Sequence, residues 1–110
     1  MGKGFELVVF PAADLDAGKR IYGTLLGTDP YVDSPYYVGF RVDDKEIGLD
    51  PRGHEDGAVP YMMVADVPGT LQGLVEAGAS VHQEPRDVGG GMLVAVLKDA
   101  NGNLFGLRQG

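Results

Sequence analysis

Hydrophobic positions along the chain change rhythm in a fixed order, and the order occurs twice. Phe5 to Phe10 is a β-branched and aromatic run that stops at Pro11, which predicts a strand. Asp14 then offers a helix cap, with Asp16 adding favourable charge in the first turn. Leu15, Ala17/Gly18, Ile21/Tyr22 and Leu25 recur at helical spacing as one buried stripe, and Gly27 is placed to end the helix, so residues 14–26 are predicted helical. Tyr31-Val32, a turn at Asp33-Ser34-Pro35 and the run Tyr36 to Val42 follow. Asp43-Asp44 turns the chain into Lys45–Asp50. The alternation assigns Val38, Phe40, Val42, Ile47 and Leu49 to a face that covers the helix. Tyr37, Gly39, Arg41, Glu46, Gly48 and Asp50 fall on the opposite face, which is polar, aromatic and notched by glycines.

After the link Arg52 to Ala58 the order repeats. Val59 to Ala65 predicts a strand, and Asp66 caps a helix with Pro68 in its first turn. That helix runs over Val67, Leu71, Leu74 and Val75 to Ala77-Gly78. Ala79 to Gln83 predicts a strand, Glu84 to Gly91 a loop and Met92 to Lys98 a further strand. Asp99 to Gly102 makes a hairpin turn into Asn103–Arg108. Each half reads β-α-β-β-β. The closing strands match as Ile47-Gly48-Leu49 and Phe105-Gly106-Leu107, with glycine in the middle of both.

Size and charge narrow the functions open to such a chain. With 110 residues it is one domain, half-repeats about 4–51 and 59–109, and 44% hydrophobic residues support an ordinary core. The formal net charge of -7 opposes nucleic-acid binding, which needs a basic face, and favours a cationic ligand where it favours any. The absence of cysteine removes disulfides, thiolate catalysis and thiolate metal sites. No apolar run approaches the roughly 20 residues of a membrane span, so a soluble, cytoplasmic protein is expected.

Two βαβββ halves in this length resemble the vicinal-oxygen-chelate superfamily, which holds glyoxalase I, extradiol dioxygenases and bleomycin-resistance proteins. Asp14-Leu15-Asp16-Ala17, Tyr22 and Leu26-Gly27 look like its first helix, and Val64-Ala65-Asp66-Val67 like its second helix entry. Lys98 to Leu107 is similar to its closing hairpin. The resemblance implies an α+β fold with a curved mixed sheet around a concave cleft, helices outside, and a homodimer. It places the family's metal ligands near Leu7, Gly48, Pro60 or Tyr61, and Gly106. None is a histidine or a carboxylate, so no metal and no other cofactor is expected.

The candidate ligand-binding residues are therefore Tyr37, Arg41, Glu46, Asp50, His54 and Tyr61. Tyr37 and Tyr61 offer ring area with a polar handle. Glu46 and Asp50 share a face at i, i+4, roughly 13 Å apart along a strand, too far for a paired-carboxylate mechanism. Ordinary edge-strand solvation, or pairing with Arg41 or Arg108, is the structural alternative for both. His54 sits in a loop among acids and is either a solvated group or a rim acid/base. His82 reads as a surface residue. Gly89-Gly90-Gly91 precedes a strand rather than a helix, which is not the context of a phosphate loop. The leading expectation is a metal-independent binder of an aromatic or cationic compound. The alternatives are a glyoxalase-like lyase or isomerase using Tyr61, Glu46 or His54 as acid/base, and a non-catalytic structural or regulatory module.

Overall fold

In the computed structural model, which describes residues 4–53 and 57–110, each half of the chain has the predicted order of elements. The fold is α+β, built from two βαβββ modules that form two compact units. One spans Glu6–Ala58, and the other Val59–Gly110 together with Met1–Phe5.

In the first module, β1 (Leu7–Pro11) runs parallel to β4 (Lys45–Asp50). β3 (Tyr37–Val42) lies antiparallel to β4, and β2 (Val32–Ser34) is the outer strand. Helix α1 (Leu15–Leu26) begins where the Asp14 carboxylate accepts the Ala17 amide at 3.0 Å. It ends at Gly27, whose φ of 68° is the left-handed conformation that glycine adopts without strain. Val38, Phe40 and Leu49 form the core beneath it, joined by Phe10, Leu15, Tyr22 and Leu26.

The buried stripe of α1 differs from the expected one. Ile21 and Leu25 are 65% and 70% exposed, and the face turned to the sheet is Leu15, Gly18, Tyr22 and Leu26. The reason is close approach. A Cβ on Gly18 would stand 3.0 Å from Leu49 Cδ1, so the helix lies on its small residues and leaves two large ones outside. Tyr22 stacks on Phe10 with centroids 5.2 Å apart. Val42, expected on the same covered face, is exposed at the strand end.

The second module repeats the plan with β5 (Val59–Met63), α2 (Val67–Glu76), β6 (Ser80–Asp87), β7 (Leu93–Lys98) and β8 (Leu104–Gln109). β5 is parallel to β8, and β7 lies antiparallel to both β8 and β6. Val67, Ala95, Leu97 and Leu107 are its core, with Leu71 and Leu74 packed on them from α2. The N-terminus of α2 is capped twice. Asp66 accepts the Gly69 amide at 3.2 Å, and Gln109 Oε1 accepts the Val67 amide at 2.6 Å. β6 extends past the expected end at Gln83, through Pro85 to Asp87. It is an outer strand with two register shifts, where a residue lacking an N–H is tolerated.

Candidate functional site

The face of the first module turned away from α1 is organised by one carboxylate oxygen. Register puts Glu46 opposite Arg41. Glu46 Oε1 accepts from Arg41 Nη2 at 2.8 Å, from Arg41 Nε at 3.2 Å and from the Tyr31 hydroxyl at 2.7 Å. The guanidinium carbon of Arg41 lies 4.1 Å from the Tyr31 ring centroid, which adds a cation–π contact. Burial, then the Glu46 carboxylate, raises the Tyr31 pKa above its ordinary value, so the hydroxyl stays a donor. The hydrogen bond to Glu46 likewise raises Arg41 and keeps it charged. The Glu46 side chain is only 12% exposed, and it is committed to these partners rather than held ready as a base.

Tyr37 lies over the two glycines of the same face. A Cβ on Gly48 would collide with the Tyr37 hydroxyl, and one on Gly39 would stand 3.1 Å from atoms of both the Tyr31 and Tyr37 rings. The glycines do not open a hollow. They make room for aromatic rings. Asp50 turns elsewhere: its carboxylate accepts the Arg52 amide at 2.8 Å and fixes the turn after β4.

In the second module Tyr61 pairs with Gly106 and its ring fills the space above that glycine, where an added Cβ would meet Cγ of the ring at 2.9 Å. Tyr61 is buried, at 9% exposure. The structure thus groups Tyr37, Arg41 and Glu46 on one face, directs Asp50 into a turn and buries Tyr61 in the other module. His54 lies outside the described residues. Tyr31 is the residue the sequence reading missed. Its signal was Gly39, which faces Val32 across β2 and β3 and leaves room for a ring beside it.

Two open grooves of about 800 Å³ and 670 Å³ lie along α1 instead. Both are bounded by Lys19 and Asp33, joined at 3.1 Å. They lie on the helix side of the sheet, away from the tyrosine-bearing face.

The positions at which the resemblance places metal ligands do not fit a divalent cation. Leu7 is apolar, Gly48 and Gly106 have no side chain, and tyrosine rings fill the space above both glycines. Among the described residues, no three His, Cys, Asp or Glu side chains converge on one point.

A family model described as the Glyoxalase/Bleomycin resistance protein/Dioxygenase superfamily matches residues 4–107. No curated protein matches the chain. Several solved structures do. Methylmalonyl-CoA epimerase of Streptomyces coelicolor, in complex with 2-nitronate-propionyl-CoA, is 18% identical with a TM-score of 0.79, over 99% of this chain and 95% of that one. An NAD-dependent benzaldehyde dehydrogenase from Legionella pneumophila is 20% identical with a TM-score of 0.74, over 94% and 96%. A superfamily member from Vibrio splendidus is 15% identical with a TM-score of 0.72, over 94% and 97%. At such identities the likeness is one of fold.

Proposed function

We propose that this chain, which belongs to the glyoxalase/bleomycin resistance protein/dioxygenase superfamily, binds a small organic molecule without the divalent metal its enzymatic relatives use. The observation that carries this reading is the pair Tyr37–Gly48 and Tyr61–Gly106. Where a metal enzyme of the resembled kind presents ligands, this chain presents tyrosine rings over glycines. Of the two, the half-buried Tyr37 ring suits an aromatic ligand, which gains contact area and an offset-stacked or edge-to-face geometry, while Tyr61 is buried. The motive for a cationic ligand is weaker. Glu46 is already neutralised by Arg41, and Asp50 is bound to the backbone of its own turn.

The reading includes a homodimer. β2 has a strand neighbour on one side only, as does β6, and edges of this kind are commonly covered. The test of binding is titration with benzyl alcohol in the presence of EDTA, followed by the backbone amide signals of the protein. Saturable shifts on β3 and β4, abolished by Tyr37→Ala in a protein that keeps its fold, are expected. Binding that appears only when zinc or nickel is added contradicts the reading.

A further inference from the structure

Arg41 is charged and exposed, yet its head group is held in one place. Its Nε and Nη2 both donate to Glu46 Oε1, and its guanidinium carbon stands 4.1 Å from the centroid of the Tyr31 ring. A group in the plane of that ring could not come so near, because the ring's own edge would stand between. The guanidinium therefore lies on the ring face. Tyr31 is itself fixed at both ends. Its amide donates to the Gly39 carbonyl at 2.9 Å, and its hydroxyl donates to the same Glu46 oxygen at 2.7 Å. One carboxylate thus pins two planar groups, one layered on the other.

The layer has a side left over. A guanidinium has two flat faces and an edge of N–H donors. Tyr31 covers one face and Glu46 takes part of the edge, while 55% of the Arg41 side chain remains exposed. What it presents is a flat, weakly hydrated cation whose charge Glu46 already neutralises. An anion gains little there, because the Glu46 carboxylate opposes it. A ring gains more, since the negative face of an aromatic system is drawn to a cation and lies flat on the guanidinium plane. The ordering of Arg41 is accomplished within the fold, so a ligand does not have to supply it. Tyr37 stands next in line. The rings of Tyr31 and Tyr37 both border the space above Gly39, so Tyr37, Tyr31 and Arg41 form one row of planar groups in the first module.

We infer that Arg41, layered on Tyr31, is the platform on which an electron-rich aromatic ring of the ligand stacks. This rests on the proposal that the Tyr37 face binds an aromatic small molecule, and it names the kind of ring. An alkoxy-substituted ring has a strongly negative face, whereas a fully fluorinated ring has a positive one and is repelled by a cation.

The test titrates 4-methoxybenzyl alcohol, benzyl alcohol, pentafluorobenzyl alcohol and cyclohexylmethanol into the full chain. Binding is followed by the backbone amide signals and by the Nε–H signal of Arg41. The methoxy compound should bind about fivefold more tightly than the fluorinated one, with benzyl alcohol between them. Cyclohexylmethanol has the bulk without the π face and should bind more weakly than benzyl alcohol. The Arg41 Nε–H signal should move upfield with benzyl alcohol and stay in place with cyclohexylmethanol. Arg41→Met keeps a long side chain without charge or plane, and should erase the difference between the methoxy and fluorinated rings. Should Arg41→Met not fold, the double variant with Glu46→Gln and the ring series in the unaltered protein carry the test. Equal affinity for the two rings, or tighter binding of the fluorinated ring (the preference of a bare tyrosine face), overturns the inference and leaves small-molecule binding standing. Binding of none of the four at about 10 mM overturns both.

Discussion

The hydroxyl of Tyr37 occupies the space that a side chain on Gly48 would need. Gly48 is buried and lies on the face away from α1, so an added methyl has no route out except by moving the ring. Gly48→Ala is expected to destabilise the protein by about 1–3 kcal/mol, the usual cost of overpacking. The double variant with Tyr37→Ala should recover part of that loss. Urea unfolding of the four proteins in the cycle measures the coupling. Additive effects would separate the two residues.

Tyr31 gives the protein an alkaline limb. Its folded pKa is raised above the ordinary value of 10.0 by burial and by Glu46, so the folded state holds the phenolic proton more tightly than the unfolded chain. The stability this contributes is fully present below the unfolded pKa and is lost as pH rises through the folded one. Melting temperature should therefore fall more steeply above pH 10.0 in the parent than in Tyr31→Phe. Parallel curves would contradict the link.

Much of this arrangement was legible in the sequence, and the failures share a cause. The hydrophobic pattern located every element, because each strand and helix has its own caps, turns and alternation. The pattern weighs large side chains, however, and this fold is positioned by small ones. Gly18 turned α1 away from the stripe that Ile21 and Leu25 suggested, and Gly39 and Gly48 admitted rings rather than a ligand. The site residues were harder still. Pairing of Glu46 with Arg41 was one of the alternatives the sequence left open, beside Arg108 and solvation. The strand register places Arg41 opposite it, whereas Tyr31 joins them from outside the strands, where alternation has no reach.

Gln109 ties the last strand to the start of α2. Its side-chain oxygen accepts the amide of Val67, a fully buried residue. Gln109→Ala leaves that amide without its partner and should cost about 1–3 kcal/mol. Amide hydrogen exchange should speed up in the first turn of α2 before the rest of the module. A uniform change would assign Gln109 to the fold as a whole.

Assembly is read from mass. Light scattering behind size exclusion should give about twice the 11.6 kDa chain mass, reflecting covered sheet edges. A species of 11.6 kDa alone removes the dimer from the account.

Native mass spectrometry of untagged protein, offered a library of small aromatic compounds together with zinc, nickel and manganese, tests metal-free ligand binding most directly. The expected spectrum shows the folded protein carrying an organic ligand and no stoichiometric metal, unchanged by EDTA, with occupancy lost in Tyr37→Ala. A spectrum with one metal ion per chain, and organic ligand held only by the metal-loaded form, contradicts it.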